Sequence, residues 1–343
     1  MSSGYGAVGW NRQKRIYDVT LAIGVAVFVA VFVGLGLVLW PHATAETLMI
    51  RAFAIAAFLL LHVILCIGPL ARLDPRFLPL LYNRRHLGVT MCLLATAHAG
   101  LAIFQFHSLG VLNPFVNVLA GDGTFAELSR WPFQIFGAGA LAILIVMAAT
   151  SHDFWLATLT APVWKAMHML VYVAYALLVA HVAFGIGQTG RGSWFAIATG
   201  AGALVVFALH ITAAARERRR DVETATGQDG WIEAGPIESF VEKRARIVCA
   251  SGERIAVFRN DGKFSAVSNV CQHQNGPLGE GRIIDGCITC PWHGYQYLPE
   301  TGASPPPFTE RVPTFRVRVV NSRVFVDPRP LPPGTHVEPA AIQ

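Results

Sequence analysis

Apolar residues run with little interruption through six stretches of the first 214 positions: Tyr17–Trp40, Met49–Leu70, Leu87–Phe106, Phe133–Ala149, Val163–Ile186 and Trp194–Ala214. Each comes close to the roughly 20 consecutive apolar residues a helix needs to cross a bilayer, so the pattern predicts six membrane helices. After Ala215 the rhythm shortens. Arg246–Cys249, Ile255–Phe258, Phe264–Val267, Phe315–Val320 and Val324–Val326 are brief apolar or alternating runs between polar turns, which is the signature of strands. The expected fold is a multi-pass α-helical membrane bundle of six helices, residues 1–220, followed by a linker, 221–230, a small all-β domain, 231–328, and a C-terminal tail, 329–343.

Composition agrees, because 53% hydrophobic and only 14% charged residues exclude an ordinary soluble enzyme. The first apolar run follows Arg12, Lys14 and Arg15, as a secretory signal would, but it is too long for a signal core and reads as an uncleaved anchor. Cations gather before helix one, between helices two and three (Arg72, Arg76, Arg84, Arg85) and after helix six (Arg216, Arg218, Arg219, Arg220). The opposite loops, near Glu46, from Asp122 to Arg130 and around Arg191, carry fewer. The positive-inside bias therefore puts both termini and the β domain in the cytoplasm. The net charge of +6 is explained by topology and anionic membrane lipid, with no nucleic acid partner.

Two short motifs stand on loops of the β domain, Cys271-Gln-His273 and Cys290-Pro-Trp-His293. Two thiolates can hold one iron and two imidazoles the other when each loop gives one ligand of each kind. A zinc site is the rival, but zinc-finger loops pair Cys with Cys and His with His. Of the remaining cysteines, Cys66 and Cys92 fall in predicted membrane helices, Cys249 in a strand and Cys287 ahead of the second motif. All four read as small apolar fillers.

The segments Val270-Cys271-Gln-His273-Gln-Asn-Gly-Pro-Leu and Thr289-Cys290-Pro-Trp-His293-Gly resemble the two cluster-binding boxes of Rieske domains, over roughly Trp231 to Pro328. The resemblance implies a [2Fe-2S] cluster on Cys271, His273, Cys290 and His293, with Pro305-Pro306-Pro307 as its cover loop. It also implies two departures from the quinol-oxidising branch of that family. Gly276 and Trp292 stand where that branch has a disulfide pair, and Tyr295 stands in place of a serine that donates to a ligand sulfur, whereas Tyr297 matches its donor tyrosine. Fewer donors imply a lower potential, nearer ferredoxins and oxygenases.

The membrane half carries His62, His98, His168 and His181 inside predicted helices, where ionisable residues are costly and mark function. Interhelical hydrogen bonding is the alternative use. At 1.5 Å per residue, His98 and His181 each lie roughly 18–25 Å from the cytoplasmic end of their helices, so they can face each other across one haem. The inner pair for a second haem stays open, with His168 opposite His62 or His86. Arg84-Arg85-His86-Leu87-Gly88 followed by His98, and Trp164-Lys165-Ala-Met-His168-Met-Leu-Val-Tyr172 followed by His181, resemble the ferric-reductase-like transmembrane family, approximately over Ile50–Ala183. That resemblance implies b-type haem, with His98, His168 and His181 as the carried-over ligands; His62 is outside the family pattern.

No strand-linked G-x-G-x-x-G for a nicotinamide or flavin domain follows, so the iron–sulfur centre is expected to serve as the cytoplasmic electron port. A substrate-converting oxygenase needs two histidines and a carboxylate on a further iron, and His152-Asp153, the one adjacent pair, reads as a helix-end contact. The expected function is electron transfer between a cytoplasmic donor such as a reductase, the [2Fe-2S] cluster and haem b, with a periplasmic acceptor or quinone beyond. The alternative is a haem-free, membrane-tethered ferredoxin serving a soluble partner or quinone.

Overall fold

The computed structural model describes residues 12–82, 84–108, 113–120, 131–151, 155, 159, 161–189, 193–220, 229–250, 252–273, 276–292, 294–306 and 308–342. His293, most of the linker 221–230, the Asp122–Arg130 loop, Arg191, His152-Asp153 and Pro307 lie outside these residues. The described chain forms two units, a helical one within Trp10–Arg72 and Asn83–Ala213 and a mostly β one within Ala214–Gln343 that also takes in Leu73–Tyr82.

The long helices are α1 (Arg12–Leu39), α2 (Ala45–Leu73), α3 (Arg84–His107), α4 (Gln134–Thr150), α5 (Ala161–Met169), α6 (Val171–Thr189) and α7 (Ser193–Arg220). Five spans are long and apolar enough to cross a membrane: Lys14–Leu39, Ala45–Leu73, Arg84–His107, Val163–Ile186 and Phe195–Arg218. The sixth predicted span is α4, whose 17 residues rise about 25 Å, short of a hydrocarbon core of about 30 Å. The six expected spans thus become five and one shorter apolar helix. The span Val163–Ile186 is itself divided at Leu170, whose N–H bonds back three residues to Met167 at 3.1 Å and so tightens one turn between α5 and α6.

The bundle core is built from small and branched residues: Ala56, Ala57, Leu61 and Leu65 of α2, Met91, Cys92 and Leu94 of α3, Ala140 and Leu144 of α4, Ala174 of α6 and Val206 of α7. Small side chains let helices approach closely where no hydrophobic effect drives them together. Outward-facing Ile16, Val19, Ile23, Val27, Val31 and Leu35 of α1 are all more than half exposed, an apolar surface suited to lipid. The chain is a multi-pass membrane protein.

The β domain contains β1 (Ile232–Pro236), β2 (Ala245–Ala250), β3 (Glu253–Asn260), β4 (Lys263–Ser268), β5 (Arg282–Ile284), β6 (Cys287–Thr289), β7 (Gln296–Tyr297), β8 (Thr314–Phe315), β9 (Val317–Val320), β10 (Arg323–Val326) and β11 (Ala340–Ala341). They form three antiparallel sheets, β1-β10-β9, β11-β4-β3-β2 with β8 on β4, and β5-β6-β7. Strand β3 is apolar from Ile255 to Phe258 because both its faces are buried. Ile255 and Val257 enter a core with Phe264, Phe315 and Val324, and Ala256 and Phe258 enter a second core with Cys271, Cys290 and Tyr297.

Three hairpins close on two-residue turns with positive φ at both positions: Asp261-Gly262, Asp285-Gly286 and Asn321-Ser322. Such turns match the right-handed twist of the strands they join and favour Asn, Asp and Gly. The segment expected as a tail, 329–343, straps back over the domain. Val337 N–H donates to the Glu300 carbonyl at 2.8 Å, and Ala340–Ala341 pair with Phe264 and Lys263 of β4.

Two stability predictions follow from this packing. At Gly281 a Cβ would sit 2.1 Å from the Thr289 carbonyl oxygen, so Gly281→Ala is expected to cost about 2–3 kcal/mol and lower the calorimetric melting temperature of the β domain by roughly 10 °C or more. Asp327, nearly fully buried, takes paired hydrogen bonds of 2.9 Å from Arg329, which hold its carboxyl below the usual value. A lowered pKa contributes stability above the ordinary Asp value of about 3.9, lost as pH falls through the folded value. In acid-unfolding curves, Asp327→Asn should remove part of the destabilisation below about pH 4.

Candidate metal centres

Buried loops must satisfy their own backbone groups, and the first motif does so through Asn269 at the end of β4. Its carbonyl accepts from Leu278 N–H at 2.9 Å and its Oδ1 from Gly279 N–H at 2.6 Å. Cys271 N–H donates to the Gly276 carbonyl at 2.9 Å, closing the loop over the thiol. The second motif lies between β6 and β7, where Cys290 N–H donates to Tyr295 O at 2.8 Å and Gly294 N–H to Cys290 O at 3.0 Å. Both thiols are buried, Cys271 at 1% and Cys290 at 3% exposure.

The two loops meet at Gly276, where an added Cβ would lie 2.6 Å from Cys290 Sγ and 3.2 Å from the Trp292 ring. Only hydrogen there leaves room around the sulfur. The Tyr297 hydroxyl accepts from Gln272 N–H at 3.0 Å, so its own proton is directed to Cys271 Sγ at 3.4 Å. Burial, and then the neighbouring Cys271, push the Tyr297 phenol well up, which keeps it a donor.

Tyr295 joins the two loops. Besides accepting from Cys290, it lays its ring on His273, with centroids 4.8 Å apart and planes 9° apart. Its hydroxyl donates to the Glu310 carboxylate, and Phe308 packs edge-on at 5.1 Å. Cys271, His273 and Cys290 are thus brought into one web by Tyr295 and Tyr297. Among the described residues no three His, Cys, Asp or Glu side chains converge as a metal-binding group; ligands shared between two irons need not converge on one point. Cys287 lies buried at the start of β6, and burial raises its thiol pKa, as suits an inert filler.

In the bundle, His98 of α3 and His181 of α6 face each other with ring centroids 6.5 Å apart. His98 Nδ1–H donates to the Ile50 carbonyl at 3.0 Å and His181 Nδ1–H to the Phe133 carbonyl at 2.9 Å. A carbonyl only accepts, so each Nε2 keeps its lone pair. Two metal–nitrogen bonds of about 2 Å, plus about 1 Å from nitrogen to ring centre on each side, give a centroid separation of about 6 Å. That separation would admit one iron between the rings, with His98 and His181 as the residues that would hold it. Gly137 of α4 makes room for it, since a Cβ there would be 2.7 Å from His181 Nδ1.

The other two predicted histidines are engaged differently. His62 donates through Nδ1 to Phe58 O at 2.8 Å and meets the Tyr175 hydroxyl through Nε2 at 3.0 Å. His168 stacks on Trp164 at 3.7 Å, with Nδ1 on Trp164 O and Nε2 on Ser151 Oγ. No contact joins His62 to His168 among the described residues.

Two family models match the chain, the Rieske [2Fe-2S] domain over residues 230–316 and the Ferric reductase like transmembrane component over residues 53–179. The chain is 35% identical over 98 residues to the anthranilate 1,2-dioxygenase ferredoxin subunit of Burkholderia cepacia, which covers 28% of this chain and 91% of that protein. The chain belongs to the Rieske family, joined to a ferric-reductase-like membrane component. A second relative, cholesterol 7-desaturase nvd 1 of Ciona intestinalis, is 32% identical over 106 residues, covering 29% of this chain and 23% of the relative. Among solved structures, the complex of reduced oxygenase and oxidized ferredoxin in carbazole 1,9a-dioxygenase matches at 27% identity and a TM-score of 0.28, covering 30% of this chain and 96% of that one.

Within this Rieske domain, Gly276 and Trp292 do lie against each other, so the positions that carry a disulfide in the quinol-oxidising branch are filled by an indole over a glycine. Tyr295, in place of a donor serine, spends its hydroxyl on Glu310. Sequence reasoning missed Asn269 and Glu310, since neither belongs to a motif. Tyr295 was marked in the sequence only as a lost sulfur donor; its stacking on His273 comes from the fold.

Two substitutions test this geometry. Tyr297→Phe removes the hydroxyl donor to Cys271 Sγ and should lower the cluster midpoint potential by about 60 mV, one tenfold factor for a one-electron couple, in an EPR-monitored redox titration. Gly276→Val should abolish the reduced-cluster EPR signal while leaving the membrane bundle's far-ultraviolet helix signal in place.

Proposed function

We propose that this membrane electron-transfer protein is a conduit in which a [2Fe-2S] cluster on Cys271, His273, Cys290 and His293 exchanges single electrons with a b-type haem between His98 and His181. The observation that carries the haem half is the facing imidazole pair at 6.5 Å, each ring anchored through Nδ1 to a backbone carbonyl. Such outer hydrogen bonds fix the tautomer and raise ligand basicity. The engagement of both ring nitrogens of His62 and His168 supports a single haem at this pair.

The cluster, when bound, supplies one-electron chemistry at a potential raised by neutral imidazoles relative to four thiolates. A haem held by His98 and His181 would supply a second one-electron centre. The chain's own residues do the rest. Burial of Cys271 and Cys290 excludes water, Tyr297 directs a proton at the Cys271 sulfur, Tyr295 fixes the His273 ring, and Gly137 admits His181 to the bundle centre.

The arginine-rich helix ends favour a cytoplasmic β domain and termini. Electrons enter from a cytoplasmic reductase and move outward to an acceptor beyond the membrane or to quinone. The dithionite-reduced minus oxidised spectrum of the purified chain, with a pyridine haemochrome assay, tests the reading. One b-type haem per chain is expected, reduced at least tenfold in content in His98→Ala and His181→Ala, with the cluster EPR signal kept. A chain expressed with ample haem that shows the cluster signal and no haem bands would be a membrane-tethered ferredoxin.

A further inference from the structure

The segment expected to cover the cluster is closed by its own backbone. Ser304 N–H donates to the Glu310 carbonyl at 2.9 Å, Phe308 N–H to the Pro305 carbonyl at 3.1 Å, and Ala303 bridges Arg311. None of these three contacts uses the Glu310 side chain. Its carboxylate oxygen Oε2 accepts instead from Thr309 N–H at 3.1 Å and from the hydroxyl of Tyr295, which stands 15 positions away in the second ligand loop. Tyr295 is only 5% exposed, and its ring lies almost parallel on that of His273 with centroids 4.8 Å apart. A line of contact thus runs from a half-buried carboxylate through a phenol to a cluster ligand.

An ionised carboxylate only accepts, so the Tyr295 proton is directed at Glu310, and a hydrogen bond to an ionised acceptor is about twice as strong as a neutral one. Such a bond pushes electron density from the phenol oxygen into the ring. An aromatic face is already the negative side of the ring quadrupole, so the face laid on His273 becomes more negative still. An imidazole on ferric iron carries more positive charge than one on ferrous iron, and the stacked ring therefore favours the oxidised cluster. A hydroxyl whose one proton goes to Glu310 is also withheld from the ligand sulfurs, where a donor would stabilise the reduced cluster. Both effects lower the potential.

We infer that Glu310 is a positioning residue for the [2Fe-2S] cluster: acting through Tyr295, it keeps an electron-rich ring on His273 and so lowers the reduction potential of the centre. The step it biases is the uptake of one electron from a donor, in which no covalent bond forms or breaks. The inference rests on the cluster and not on the haem. Two other uses of Glu310 are separable from it. A bare negative charge would act through space whether or not residue 295 has a hydroxyl. A strap for the covering segment would change stability and leave the potential alone.

The test is an EPR-monitored redox titration of the full-length, detergent-purified chain and of Glu310→Gln, Tyr295→Phe and the double variant, with the melting temperature of the β domain measured on each. Gln keeps the shape of Glu and an oxygen that accepts from both donors, and Tyr295→Phe keeps the stacked ring and removes only the hydroxyl, so the cluster should be retained throughout. Glu310→Gln is expected to favour the reduced cluster about tenfold, which is about 59 mV upward for one electron, with the melting temperature unchanged. In the Tyr295→Phe background the same substitution should shift the equilibrium less than threefold. A shift of equal size in both backgrounds would overturn the inference in favour of a bare charge. A lowered melting temperature with no rise in potential would overturn it in favour of a strap. A parent chain without the cluster signal would remove the cluster and the inference together, whereas an intact signal with an unmoved potential removes the inference alone.

Discussion

A polar group taken out of water has to find a partner inside the protein, and both candidate centres of this chain are organised by that requirement. In the β domain the loops that carry the buried thiols are sealed by Asn269, by the Gly276 carbonyl and by the Tyr295 carbonyl, so the backbone is satisfied before any metal is considered. In the bundle the same requirement ties His98 and His181 to the carbonyls of Ile50 and Phe133, which fixes their rings and leaves the opposite nitrogens with a lone pair. Structural need and ligand orientation are served by the same hydrogen bonds.

Close approach depends on residues that are absent as much as on those present. Gly276 leaves space at the Cys290 sulfur and Gly137 leaves space at His181; in each case a single added carbon would come within 3 Å of a candidate ligand. The aromatic residues around the cluster loops then divide the work. Tyr297 addresses a sulfur, Tyr295 a histidine ring and a carboxylate, and Trp292 covers the glycine. A fixed ring lowers the reorganisation that accompanies each electron, which suits a centre whose task is transfer rather than bond-making.

The membrane half solves a different problem with the same materials. Lipid offers no hydrophobic drive between helices, so packing rests on small residues and on a few polar contacts. Ala56, Ala57, Ala140 and Ala174 supply the first, and His62 with Tyr175 and His86 with Asp18 supply the second. The Asp18–His86 pair differs in standing beside open volume, whereas His62 is held on both nitrogens.

Periodicity in the sequence was enough to establish the helical membrane half, the β half and the run of strands from Arg246 to Val326, and motif spacing marked the two candidate ligand boxes, because those signals are local: a helix must be apolar along its length in lipid, and a cluster loop must bring Cys and His within three residues. The two-residue turns at Asp261-Gly262 and Asp285-Gly286 were equally local and could have been read. What only the tertiary structure decided was non-local. The shortness of α4, the strap that ends in Ala340–Ala341, the choice of His98 and His181 as a facing pair over His62 and His168, and the meeting of Asp18 with His86 all depend on which helix or strand lies beside which. Four histidines in apolar helices look alike in one dimension; a neighbour's carbonyl or hydroxyl, placed by packing, is what sets each ring's hydrogen bonds.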